Sequence, residues 1–134
     1  MPWMETAPVV QRRDFVSVLD VAAAFCLAME RPDADGRVLN IGSGGAYAIR
    51  EIAERVAKAT GREELGPVVT GKYRVGDIRH CFADISEARA VLGYAPRVGL
   101  DTGLAQLADW LQGQAATDRA DEAGAELAAR GLTV

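Results

Sequence analysis

The run Gly71-Lys-Tyr-Arg-Val-Gly-Asp-Ile-Arg-His gathers Lys72, Arg74, Arg79 and His80 with one carboxylate, Asp77, around two glycines. Only Tyr73, Val75 and Ile78 are apolar. Such a set suits an anionic small molecule. The same composition also describes a solvated surface loop. The segment is too polar for a core strand and too glycine-punctuated for a helix, so it reads as a loop.

A well-marked helix follows this loop. Asp84 stands at a capping position and Glu87 three residues later, as in a capping box. Ile85, Ala88, Val91 and Leu92 then recur at helical spacing, and Gly93 supplies the stop.

Other stretches imitate catalytic or nucleotide motifs and fail on particular residues. Ile41-Gly-Ser-Gly-Gly resembles a dinucleotide-binding turn, but the third glycine of GxGxxG is replaced by Tyr47. Gly66-Pro-Val-Val-Thr-Gly-Lys-Tyr resembles a P-loop, yet Pro67 lacks an amide and Tyr73 stands where Ser or Thr would ligate magnesium. Ser43 has no nucleophile-elbow setting, because position 41 is Ile. His80 is the single histidine, which argues for a loop residue rather than the centre of a metal or hydrolase site. Cys26 and Cys81 form no CxxC pair and suggest neither a zinc site nor a disulfide framework. No metal site is expected.

The elements that must carry the loop are legible in order. Residues 1–13 read as an extended lead-in, and Asp14 to Leu19 as a short strand of β-formers. Asp20 is expected to cap a helix through Glu30 that Pro32 ends. That helix is apolar on both faces: Val21, Ala24, Phe25, Ala28 and Met29 on one, Ala22, Ala23, Cys26 and Leu27 on the other. A small domain has few walls to cover it, so apolar surface should remain exposed. Arg37 to Ile41 reads as a strand. A helix from Ala48 to Thr60 follows, then a short extended piece over Pro67–Thr70. Another short strand falls near Cys81–Ala83. A helix from Asp101 to Gln112 turns Leu104, Leu107, Ala108 and Leu111 inward. The tail, 113–134, is expected to form a peripheral helix ending at Arg130, with Gly131 as its stop. Residues 14–112 thus make one α/β domain: a small sheet of short strands with four to five helices.

Composition narrows the class. The 134 residues are 49% apolar and 25% charged, enough for one domain with a core. A net charge of −4 argues against nucleic-acid binding. No apolar run reaches membrane-spanning length, and the first residues lack the charged and apolar regions of a signal peptide. With free thiols, this points to the cytoplasm.

Three segments in series resemble one family. They are Arg13-Asp-Phe-Val-Ser-Val-Leu-Asp-Val-Ala-Ala-Ala, Val38-Leu-Asn-Ile-Gly-Ser-Gly, and Gly76-Asp followed after five residues by Ala83-Asp-Ile-Ser-Glu-Ala. Their order and spacing resemble the C-terminal, substrate-binding part of the NAD-dependent sugar-nucleotide epimerases and dehydratases, of the extended short-chain dehydrogenase/reductases. The resemblance covers roughly Gln11 to Leu111. It implies that Arg13 and Arg74 contact a nucleotide diphosphate and that Asp77 serves the ribose hydroxyls. The implied ligand is a UDP- or TDP-sugar. The late loop and the Glu126-Leu-Ala-Ala-Arg-Gly-Leu tail most resemble bacterial epimerases acting on deoxyhexose nucleotides. The sequence departs from the family at Ser17, where an aromatic or His is common, and at Ala48, where a capping Ser or Thr is usual.

The family's base is the tyrosine of a Tyr-x-x-x-Lys pair, whose lysine lowers the tyrosine pKa. Four residues after Tyr47, Tyr73 and Tyr94 stand Glu51, Asp77 and Val98. No catalytic residue and no cofactor-binding residue is therefore expected in this chain, although NAD serves the intact family enzyme. The resemblance implies a truncated product or one half of a split enzyme lacking its Rossmann domain, inactive alone. Its partners would be a separate Rossmann-domain chain or a second copy. The rival expectation is a non-enzymatic interaction module that docks through the apolar helix 20–30.

Overall fold

A computed structural model describes residues 11–69, 71, 73, 75–115 and 117–133. The elements are β1 (Arg12–Arg13), α1 (Val18–Glu30), a one-turn 3-10 helix (Pro32–Ala34), β2 (Tyr47–Ala48), α2 (Ile49–Ala59), β3 (His80–Cys81), α3 (Ser86–Leu92), α4 (Leu100–Gln112) and α5 (Ala120–Ala129). The sheet runs β2-β1-β3. Arg12 and Arg13 face Ala48 and Tyr47 antiparallel, and His80 and Cys81 parallel. Among the described residues the architecture is α/β, with five α-helices and a small three-stranded sheet.

The first expected strand is corrected. Pairing ends at Arg13, and the chain is helical from Val18 rather than extended to Leu19. Ser17 caps the helix, its Oγ accepting from the Leu19 N–H at 3.2 Å. Strand propensity at Phe15–Leu19 is a weak preference, and a cap worth about 1 kcal/mol outweighs it. Asp20 is therefore not the cap. It lies in the first turn, 3% exposed, and accepts the Arg97 and Val98 backbone N–H groups at 2.9 and 3.0 Å.

The core joins α1, α3 and the segment before the sheet's second strand. Ala24, Ile85, Ala88, Leu92 and Tyr94 are buried, with Leu27, Leu39, Ile41 and Ala83 packed against them. Arg37–Ile41 keeps the alternation of a strand: Leu39 and Ile41 turn inward while Val38 is 91% exposed. It pairs with no strand among the described residues. At α3, Asp84 Oδ1 accepts from the Ser86 N–H at 2.9 Å and from its hydroxyl. Those bonds hold the Asp84 carboxyl below the usual carboxylate range. Glu87 does not complete a capping box; it meets Arg37 at 3.3 Å. Gly93, at φ +67°, ends the helix as expected.

α2 and α4 pack together, and Arg55 joins them. It bonds Glu51 at 2.6 Å and Asp101 at 2.8 Å, and lies 5.7 Å from the centre of the Tyr47 ring. α2 lacks a side-chain cap at Ala48, in line with that departure. α4 buries Ala108, while Leu107 and Leu111 stay largely open. α1 buries Ala24 but leaves Phe25 69% and Met29 80% exposed. Among the described residues, no helix is long and apolar enough to cross a membrane.

Replacing Asp20 with Ala strands two part-buried backbone donors. A charged hydrogen bond contributes about 1.5–3 kcal/mol and an orphaned donor costs a similar amount. Asp20→Ala should thus lower the unfolding free energy by about 2–4 kcal/mol in a urea titration. Unfolding at the parent's midpoint would show the carboxylate to be dispensable.

Candidate functional site

β1 is short because its job is local: it sets Arg13 between the two outer strands. From there the guanidinium reaches the loop that precedes β3. Nη1 donates to the carbonyls of Arg79 at 2.9 Å and of Arg12 at 3.1 Å. Nη2 donates to Asp77 Oδ1 at 3.2 Å and to the Ile78 carbonyl. Arg13 and Asp77, 64 residues apart, therefore meet in one half-open ion pair. Asp77 Oδ1 also accepts from the Ile78 N–H at 2.8 Å, which folds the carboxylate back over its own turn. Arg74, the third residue expected here, lies outside the described residues, as does Lys72. His80 is exposed on β3 beside Arg12.

The loop bends at Gly71 (φ +75°) and Gly76 (φ +81°), torsions that side-chain-bearing residues rarely adopt. Between them, the Val75 N–H donates to the Leu132 carbonyl at 2.9 Å. The loop is thus fastened on one side by Arg13 and on the other by the C-terminal segment. Spacing within the sequence signals neither contact.

Behind β1 lies a carboxylate that the sequence reading did not single out. Asp14 accepts from the Ser43 N–H at 3.0 and 3.1 Å and from its hydroxyl at 2.5 Å. The Asp14 N–H donates to the Cys81 carbonyl at 3.2 Å. A Cβ on Gly42 would lie 2.2 Å from Asp14 Oδ2 and 2.7 Å from the Ala83 Cβ, so only glycine fits. The Tyr94 hydroxyl donates to the Gly42 carbonyl at 2.9 Å. Burial, then the nearby Asp20 and Asp14 charges, push the Tyr94 phenol above its ordinary value.

These contacts decide what the glycine-rich turn can hold. The Ser43 N–H is spent on Asp14 and the Gly45 N–H on Ser43 Oγ. A carboxylate sits where a dinucleotide turn would need its pyrophosphate, and β2 rather than a helix comes next. The turn does not fit NAD. Among the described residues, no group of three or more His, Cys, Asp or Glu side chains could hold a metal ion.

The chain is similar to known proteins over most of its length. Residues 8–42 match the NAD dependent epimerase/dehydratase family. The chain is 39% identical over 99 residues to dTDP-L-rhamnose 4-epimerase of Burkholderia thailandensis, covering 74% of this chain and 27% of that protein. It is 31% identical over 102 residues to UDP-glucose 4-epimerase of Caenorhabditis elegans, covering 73% and 29%. Among solved structures, UDP-glucose 4-epimerase with UDP-glucose from Thermotoga maritima superposes with a TM-score of 0.69 at 30% identity, over 81% of this chain and 34% of that one. The UDP-glucose 4-epimerase of Bifidobacterium longum in complex with NAD+ and UDP gives 0.67 at 29% identity, over 77% and 30%. The fold and these likenesses point to one family of proteins. The chain belongs to the NAD-dependent epimerase/dehydratase family of the extended short-chain dehydrogenase/reductases. It spans between about a quarter and a third of the length of these relatives.

Tyr94 gives this region a pH signature. Its folded pKa lies above the unfolded value of about 10, so its contribution is full below pH ~10 and is lost as pH rises toward the folded value. Tyr94→Phe should cost about 0.5–1.5 kcal/mol at pH 7, from the lost bond to Gly42. The same variant should lose less stability than the parent as pH rises above ~10. Parallel stability–pH curves for the two proteins would refute that assignment.

Proposed function

We propose that this chain is the nucleotide-sugar-binding portion of an NAD-dependent sugar-nucleotide epimerase or dehydratase, inactive alone. The observation that carries the reading is the Arg13–Asp77 ion pair, which joins two of the segments bearing the family resemblance. Residues 14–112 form the substrate-binding unit and the described residues of 113–134 are peripheral; the lead-in expected over 1–13 lies outside the described residues up to position 10. Arg13 and Arg74 pair with the diphosphate of a UDP- or TDP-sugar, and Asp77 accepts from the ribose hydroxyls. Arg13 supplies this by exchanging protein acceptors for phosphate oxygens. Asp77, freed of its arginine, turns to the sugar. The likeness to a dTDP-L-rhamnose 4-epimerase supports a deoxyhexose nucleotide as one such ligand.

In the intact enzyme, NAD would take up and return a hydride at the sugar C4. This chain's residues bind and orient the nucleotide, and the sequence holds no Tyr-x-x-x-Lys to abstract a proton. A Rossmann-domain chain, or a longer protein that includes one, would provide both. A cytoplasmic setting follows from the same reading.

A calorimetric titration tests it. UDP or TDP should bind in the millimolar to high-micromolar range, because ordering a glycine-hinged loop costs entropy. Binding should weaken as salt screens the exposed charges. Arg74→Ala should cost about 1–3 kcal/mol for a lost charged hydrogen bond. Equal binding by that variant would end the site assignment, and turnover of a nucleotide sugar by the pure chain with added NAD would contradict its inactivity.

A second reading rests on the exposed Phe25 and Met29 of α1, which suit an interaction module. Each such side chain left in water forgoes roughly 1.5–3 kcal/mol of burial. Self-association with hydrophobic-dye binding is the expected result by light scattering. A strict monomer at high concentration that binds no dye would count against a docking role for α1.

A further inference from the structure

α5 is hard to explain as a core element. Of its ten residues, only Leu127 is even half-buried. Its C-terminus is nevertheless closed with care. The Gly131 N–H donates to the Ala128 carbonyl at 3.0 Å and the Leu132 N–H to the Leu127 carbonyl at 2.9 Å, with Gly131 at φ +65°. This paired closure fixes the direction in which the chain leaves a helix. Here it aims the Leu132 carbonyl at the Val75 N–H, 2.9 Å away, and Thr133 continues in an isolated β-bridge.

Val75 sits beside the Gly76 hinge, two residues before Asp77. Nothing lies within 4 Å of a Cβ built on Gly71 or Gly76, so those glycines serve torsion rather than space, and packing does not restrain the loop there. Among the described residues, its restraints are the two fastenings. The Arg13 side depends on both terminal guanidinium nitrogens, Nη1 to Arg12 and Arg79 and Nη2 to Asp77 and Ile78. An anion that takes those N–H groups removes that fastening at the moment of binding. The Leu132 fastening is backbone to backbone and uncharged, so the anion does not compete for it.

We propose that the segment from α5 to Leu132 is a strap that keeps the 75–79 loop in place when a ligand's phosphates take Arg13. This rests on the nucleotide reading of that loop. Without the strap, the loop would have to be ordered by the ligand alone, and the entropic cost would appear as lost affinity.

The test uses full-length chains carrying Gly131→Val, Gly131→Asn or Leu127→Asp. A β-branched residue at φ +65° is strained, whereas Asn tolerates the left-handed region. Gly131→Val and Leu127→Asp should speed Val75 amide exchange by about tenfold or more, as a local opening that leaves global stability alone. Both should raise the UDP dissociation constant by roughly three- to tenfold, through loop ordering, at an unchanged urea midpoint. Gly131→Asn should behave as the parent in all three measurements. Unchanged Val75 exchange in the two disruptive variants would overturn the strap. So would rapid exchange with undiminished UDP affinity. A parent that binds neither UDP nor TDP would overturn the nucleotide reading and with it this role, a failure separable from the others because Val75 exchange is read without ligand.

Discussion

The carboxylate of Asp14 is the point at which three distant segments are tied. It accepts the Ser43 N–H and hydroxyl, its own N–H extends the pairing of β1 with β3, and it leaves no space at Gly42 for a side chain. Tyr94 closes the other side by bonding the Gly42 carbonyl. A partly buried carboxylate that accepts several charge-assisted bonds is stable only when all partners are in place. The strand holding Arg13, the glycine turn and the approach to α3 are therefore fixed relative to one another. A sheet with two residues per strand could not do this by ladder bonds alone.

Upon that frame, the Arg13–Asp77 pair is a contact of a different kind. Both side chains are partly open to solvent, and such pairs contribute only about 0–1 kcal/mol. A weak, half-exposed pair suits a binding site. On the nucleotide reading proposed above, its members would be held near their working positions, yet a phosphate group could displace one partner at little cost. The frame behind them is strong and the contact between them is weak, which is the division of labour expected of a preorganised anion site.

The apolar surface has the same logic at larger scale. Phe25 and Met29 on α1, and Val38 on an extended segment that pairs with no strand among the described residues, stand on the surface of a chain that covers about a third or less of its relatives. A strand without a partner presents unpaired N–H and C=O groups, and an apolar helix face beside it adds a hydrophobic incentive to cover them. These features are costly in a self-sufficient domain. On the reading proposed above, they are faces that a Rossmann domain would cover.

The sequence by itself determined what is encoded within a few residues. α2 and α4 follow from apolar periodicity, and α3 and α5 stop at Gly93 and Gly131, where the backbone needs a positive φ. The motif segments also sufficed to name the family and to nominate Arg13, Arg74 and Asp77. Only the tertiary structure decided what depends on remote partners. Asp20 looked like a helix cap because a local rule fits it, but its acceptors are used 77 and 78 residues away, at Arg97 and Val98. Asp14 carried no local signal, since Ser43 lies 29 residues on. The strand expected over Asp14–Leu19 gave way to a helix start because Ser17 offered a cap and Asp20 a buried anchor. Periodicity and capping act over one turn of chain. A carboxylate's choice of partner is made by whatever the fold brings within 3 Å or so, and no pattern of neighbours records it.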